Sequence, residues 1–218
     1  AANASAVVAF TNTLLAPIAT LAVWMTLDRL RTRRVTAVGA ATGVVVGLVA
    51  ITPAAGFVSP LAALAVGALA AFPSYFGILY RSRTRLDDSL DVVAAHGLGG
   101  LTGALLTGVL ASAAWGGTAG LLEGNAALLG KQAIAVVATF LYSGAATWGL
   151  LKLIALVLPL RADDRLQGRG LDVELHGEEA YGSGEGAILV LDPARPASSR
   201  PAVGISPEAR PAGATTGA

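Results

Sequence analysis

The sequence predicts an all-α integral membrane protein, a bundle of about five transmembrane helices followed by a polar tail. Three observations carry this. The 218 residues are 54% apolar and only 13% charged, about half the charge of a soluble domain. The mean hydropathy is +0.66. The charges before Leu160 sit in short clusters between long apolar runs that lack the polar faces of soluble surface helices.

A membrane-spanning helix takes about 20 mostly apolar residues. Five segments meet or approach that length: Ser5 to Leu27, Val35 to Thr52, Phe57 to Tyr80, Ser89 to Ser112 and Gln132 to Leu158. The second is the shortest and stops at Thr52-Pro53, where proline lacks an N–H and restricts the residue before it. Arg29, Arg31, Arg33 and Arg34 separate the first two segments. Arg81, Arg83 and Arg85 separate the third and fourth, and Arg161, Arg165 and Arg169 follow the fifth. The other two connections, Pro53 to Gly56 and Ala113 to Gly130, hold no Lys or Arg. Basic residues mark the cytoplasmic side, so the alternation predicts a multi-pass protein of the cell membrane with a cytoplasmic C-terminus. Lys152 lies near the inner end of the last segment, where a long side chain reaches the interface.

Glycines four apart, Gly39, Gly43 and Gly47 on the second segment and Gly99 and Gly103 on the fourth, predict close helix packing in lipid. Residues 1–160 therefore read as the membrane part and residues 161–181 as a charged cytoplasmic region. Residues 182–218, rich in Gly, Ala, Pro, Ser and Arg, have the composition of a disordered tail. The chain opens at Ala1 with no basic n-region before a long first apolar run, so the N-terminus reads as a truncation point rather than a signal peptide.

The composition excludes several classes of function. With no cysteine and only His96 and His176, neither a disulfide framework nor a conventional metal site is expected. The sequence has no phosphate-binding loop and no nucleophile–base arrangement. The Gly-rich run around His96 follows no strand, so it is not a dinucleotide site. No enzyme, no cofactor and no nucleic-acid partner are expected.

The fourth segment carries the chemistry. Asp87, Asp88 and Asp91 lie at its start. Carboxylates there cap free N–H groups and favour the helix dipole, although Asp91 can instead pair with an arginine. His96 lies about one and a half turns deeper. An ionisable residue at that depth is a functional candidate by default; its plain structural alternative is a hydrogen bond between helices.

Three motifs carry a resemblance: Asp87-Asp88-Ser89-Leu90-Asp91 running on to His96-Gly97-Leu98-Gly99-Gly100, Gly47-Leu48-Val49-Ala50-Ile51-Thr52-Pro53-Ala54-Ala55-Gly56-Phe57-Val58, and Gly170-Leu171-Asp172 followed by His176-Gly177-Glu178-Glu179-Ala180-Tyr181. In this order they resemble the Amt/Mep/Rh ammonium transporters over about Ala1 to Tyr181. The resemblance implies the last five of eleven helices, in a homotrimer whose subunits each hold a narrow hydrophobic pore. It implies that His96 is one of two contacting pore histidines, that Val92 and Val45 line the pore, and that Gly170, Asp172, His176, Gly177 and Tyr181 form a regulatory cytoplasmic motif. His176 on its own reads as a local capping residue. The run Ala162 to Arg169 is less uniformly acidic than the family's, which sets it apart where a PII-type regulator docks.

The physical case for a pore histidine is independent of the family. Carrying the ammonium charge through hydrocarbon is very costly, whereas a neutral imidazole offers one donor and one acceptor to ammonia or to a relayed proton. The expected function is ammonium or ammonia transport, complete only together with an N-terminal half. The alternatives are a membrane ammonium sensor and a non-conducting truncated bundle.

Overall fold

The computed structural model describes residues 3–169, 171 and 175–177. All regular structure among them is helical: α1 (Ala4–Thr32), α2 (Ala37–Ile51), α3 (Pro60–Arg81), a π-helical turn (Val93–Leu98) leading into α4 (Gly99–Leu110), the single turn α5 (Ala113–Gly116), a 3-10 turn (Leu121–Glu123), α6 (Ala126–Ile154) and α7 (Asp164–Arg169). The chain divides into two compact units, residues 1–149 and 150–218.

Local chemistry sets the starts of the first three helices. The Asn3, Thr36 and Ser59 side chains each accept a hydrogen bond from the N–H three residues on, at 3.1, 3.0 and 3.2 Å. These satisfy N–H groups that the helix itself leaves unpaired. Pro60 follows Ser59 in the first turn of α3, the one helical position where its missing N–H costs nothing.

Four helical stretches are long and apolar enough to cross a membrane: Ala4–Thr32, Pro60–Arg81, Val93–Leu110 and Ala126–Ile154. The second expected span is a helix of 15 residues, about 22 Å long by the α-helical rise and short of the ~30 Å hydrocarbon core. The chain leaves the helix at Thr52-Pro53 and continues in turns to Ser59. In lipid, such non-helical backbone must be satisfied by protein. Asn12, fully buried on α1, supplies that: its Nδ2 donates to the carbonyls of Ala55 and Val58, each at 2.8 Å. Ser112 N–H donates to Phe57 O at 2.9 Å from the far end of α4.

Helices α1 to α4 meet with almost no side chain between them at three points. A Cβ added at Gly67 would collide with the backbone carbonyl of Ala16, one at Gly47 would lie 2.5 Å from Pro17 Cα, and one at Gly103 would collide with the carbonyl of Ala50. Thr20 locks the α1–α3 contact by donating to Gly67 O at 2.8 Å while sharing its hydroxyl with Ala16 O at 2.9 Å. The buried core is correspondingly small in residue type: Ala16, Val46, Ala50, Ile51, Val66 and Ala70 are fully buried.

These contacts also fix directions. Asn12 meets Val58, Thr20 meets Gly67, and Tyr75 hydroxyl donates to Asp28 at 3.1 Å, so α1 and α3 are parallel. Gly39 lies by Asp28 and Gly47 by Pro17, so α2 runs opposite to them; Gly77 lies by Ala94 and Leu98, so α4 does too. The arginines of the first two basic clusters therefore gather at one end of the bundle. The outer surface is apolar: Phe10, Ile18, Ile134, Phe140 and Trp148 are all more than half exposed, a face suited to lipid rather than water.

At the opposite end, the Ala113 N–H donates to Glu123 Oε2 at 2.8 Å. That bond, and a second from Ser112, hold the exposed Glu123 carboxyl below the usual carboxylate range. In the second unit, α7 is preceded by a link in which Gln167 donates to Ala162 O at 2.6 Å.

Two outcomes follow. Gly67→Ala forces a methyl group into the Ala16 backbone and lowers stability by about 1–3 kcal/mol, whereas Gly144→Ala, on α6 with open space around it, leaves stability unchanged or slightly raised; thermal unfolding in detergent checks both. The depressed Glu123 pKa stabilises the fold above the unfolded glutamate's pKa, and this is lost as pH falls through the lowered folded value. The wild-type melting temperature should therefore drop on acidification relative to Glu123→Gln, and identical pH profiles would refute it.

Candidate functional site

The chain from Arg81 to His96 builds the site. The expected start of the fourth span at Ser89 shifts to Val93 because Asp91 takes a left-handed conformation (φ 55°), which ends any helix before it. Aspartate tolerates that region better than most residues. Asp91 is held there by Arg81, whose Nε donates to Oδ1 at 2.8 Å with Nη2 on the same oxygen at 2.6 Å. Asp88 then caps the new start: Oδ1 accepts from Val92 N–H and Oδ2 from Val93 N–H, both at 2.9 Å. Asp88 thus acts as a cap, while Asp91 joins α3 to the start of the fourth span.

His96 sits inside the six-residue π-helical turn Val93–Leu98. A π turn widens the helix by one residue per turn and recurs at functional sites. Ala94 and Ala95 face inward and are buried, whereas Val92, Val93, His96 and Gly97 are exposed. Thr102 donates to Leu98 O at 2.7 Å as the chain returns to α-helical winding.

Helix α2 supplies the neighbouring wall. Gly99 lies against Val46 and Gly100 against Val49, with the positions a Cβ would take at 3.7 and 3.6 Å from their side chains. The two helices run in the same direction, since Val46, Val49 and Ala50 meet Gly99, Gly100 and Gly103 in order. Val45 is 38% and Val92 48% exposed. All three expected site residues, His96 included, are exposed among the described elements. Nothing among the described residues forms a cluster of three or more His, Cys, Asp or Glu that could hold a metal.

Of the cytoplasmic motif, His176 is exposed and Gly177 has a positive φ of 69°; Gly170, Asp172 and Tyr181 lie outside the described residues. Sequence reasoning passed over Asn12 and Asp28. The signal for Asn12 was present, as a carboxamide in the middle of an apolar run. The π turn had none, because the apolar pattern of residues 92–101 fits an ordinary helix equally well.

Asp88→Ala should lower stability by about 1–2 kcal/mol, the value of a good N-cap, while Ser89→Ala changes little. A double-mutant cycle on Arg81 and Asp91, both about a quarter exposed, should give a coupling of only about 0.5–1 kcal/mol.

A model of the Ammonium Transporter Family matches residues 1–181. The chain is 42% identical over 181 residues to an ammonium transporter of Aquifex aeolicus, covering 83% of this chain and 43% of that protein. It is 38% identical over 179 residues to an ammonium transporter of Bacillus subtilis, covering 81% of this chain and 44% of that one. The crystal structure of Saccharomyces cerevisiae Mep2 superposes with a TM-score of 0.66 at 31% identity, over 70% of this chain and 38% of Mep2. The chain thus spans less than half the length of the curated relatives it matches.

Proposed function

The chain belongs to the ammonium transporter family, and from that premise we propose that its exposed apolar flank is one wall of a pore that carries ammonia, derived from ammonium, past His96. The observation that supports this reading is that His96, Val92 and Val45 are all exposed on two helices, α2 and the fourth span, that pack against each other in parallel. Ammonium binds its water strongly, and an apolar passage excludes the ion by desolvation. Neutral ammonia crosses such a passage at lower cost and needs only a hydrogen-bonding partner along the way. Imidazole provides a donor and an acceptor, so it can pass ammonia along or relay the proton released at entry.

The remaining roles follow from the same reading. Residues 1–160 form the membrane part, with the arginine-rich end in the cytoplasm of a cell-membrane protein, since basic residues resist translocation. Residues 161–181 form a cytoplasmic regulatory segment that carries the motif Gly170, Asp172, His176, Gly177 and Tyr181, in a protein that assembles as a homotrimer and presents this segment to a PII-type regulator. The apolar surface of α6, where Ile134 is 71% and Phe140 78% exposed, gives such an assembly lipid or a neighbouring subunit to face.

The test is ammonium uptake by the protein expressed from its native gene with His96→Ala. Losing one hydrogen-bonding partner, ~1.4 kcal/mol, corresponds to about tenfold in rate. A fall of that size or more supports the pore reading; unchanged flux with normal membrane insertion rejects it.

A further inference from the structure

The π turn that carries His96 is pinned on both sides and seated on α3 between the pins. Before it, Arg81 of α3 holds Asp91. Beyond it, Gly103 lies so close to α2 that a Cβ there would collide with the Ala50 carbonyl. Between these points α3 passes the turn at Gly77. A Cβ added at Gly77 would stand 2.5 Å from Leu98 Cδ1 and 3.3 Å from Ala94 Cβ. Gly99, one residue past the turn, has more slack, since a Cβ there would meet the Ser74 hydroxyl of α3 only at 3.5 Å.

We propose that Gly77 is a positioning residue for His96, its missing side chain forming a socket in which the π turn sits on α3. Ala94 and Leu98 are four residues apart and share the side toward α3. His96 falls midway between them in the chain and is exposed, whereas Ala94 is buried. The depth of the seat therefore sets how far the imidazole projects on the other side. A methyl group at residue 77 fills the socket. The half-buried Leu98 side chain has torsions to turn, but the Ala94 methyl has none, so relief at Ala94 comes from the backbone. Carbon atoms pack best at about 3.5–4.0 Å, which asks the turn to withdraw by a few tenths of an ångström. The pins at Asp91 and Gly103 keep the turn from sliding along α3 instead. This inference rests on His96 being the pore residue: a hydrogen-bonding partner must stand at the right reach, and about 1 Å of misplacement can cost a hundredfold in rate.

The experiment uses the protein expressed from its native gene. It reads ammonium uptake, thermal unfolding in detergent, and the imidazole 15N signal of His96 by solid-state NMR of histidine-labelled protein, that signal being the one missing in His96→Ala. Gly77→Ala should lower uptake by roughly fivefold to tenfold, inside the range for a sub-ångström misplacement, and should shift the His96 signal. Stability should change little, since alanine is otherwise the better helix former. In the His96→Ala background the same substitution should lower uptake by less than about twofold, because residues acting as a unit are not additive. Gly77→Ala/Leu98→Ala removes the nearer obstacle. It should unfold at a lower temperature than Gly77→Ala, having lost leucine packing, yet recover most of the uptake and return the His96 signal toward its wild-type position. A glycine needed only for stability gives the opposite order, with the less stable double variant the less active. If Gly77→Ala does not fold, recovery of folded, active protein by Leu98→Ala supports the socket, and failure to recover it overturns the proposal. Wild-type uptake with an unmoved signal in Gly77→Ala overturns it, as does an equal fall in uptake with and without His96, or a further fall in the double variant. Unchanged uptake in His96→Ala rejects the pore reading by itself, and the His96 signal in Gly77→Ala then decides whether Gly77 seats the turn.

Discussion

The rest of the bundle depends on backbones that touch. Lipid gives two apolar helices no hydrophobic reason to associate, so contact must come from close van der Waals approach and a few hydrogen bonds. Gly67 against Ala16, Gly47 against Pro17 and Gly103 against Ala50 provide that approach along three helix pairs. α2 lies at the centre of all of them except the α1–α3 contact. Because it is held by protein on several sides, it can be short: its end does not have to reach water as a helix. Asn12 takes over where the helix stops, donating to two carbonyls of the turn segment that follows. Close packing and the shortened helix are thus one solution, since only a tightly gripped α2 leaves room for α1 to serve the backbone beyond it.

The same grip places the candidate pore wall. Once Gly99, Gly100 and Gly103 bring α4 onto α2, neither helix can rotate without driving a Cβ into a backbone. The outward faces are then determined, and Val45 and His96 are both left exposed. The acidic start of the fourth span finishes the placement. Asp91 ties it to α3 through Arg81, and Asp88 caps two N–H groups, so the π turn begins at a defined residue. A histidine one position away would meet Ala95's surroundings, which are buried, instead of the open flank.

Much of this was legible in the sequence, for a physical reason. The apolar runs, arginine clusters and glycine spacings are chemical necessities of a bundle in lipid, and each leaves a mark along the chain. The five helical segments, the parallel course of α2 and α4, and the use of Gly99 and Gly103 at a helix contact all follow from those marks. The start of the fourth span lies about one helical turn beyond the expected Ser89, at Val93. The sequence marks Asp87 and Asp88 as cap formers and Asp91 as a candidate partner of an arginine, and Arg81 is that partner; the left-handed turn at Asp91 depends on where Arg81 lies in space. The π turn was beyond reach because it alters winding without altering the apolar pattern. Asp28 was hidden in the run of charges ending α1, where its bond to Tyr75 depends on the parallel packing of α1 and α3.

The segment from Arg81 to Asp91 shows how one connection serves two surfaces. Arg81 and Arg83 are two residues apart, yet one reaches toward the start of the fourth span and the other borders a cleft against α1. The first joins α3 to the start of the helix that carries His96, and the second lies beside Arg31, Phe76 and Tyr80. Tyr75 and Phe76 divide in the same way nearly two turns earlier: Tyr75 turns inward to Asp28 and Trp24, its ring 5.1 Å from the indole, while Phe76 packs edge-on against Tyr75 at 5.6 Å and faces outward. Arg81 holds Asp91 directly, so the end of α3 and the start of the fourth span are joined by a side-chain pair as well as by the connecting backbone, and Asp88 caps the π turn just beyond that pair.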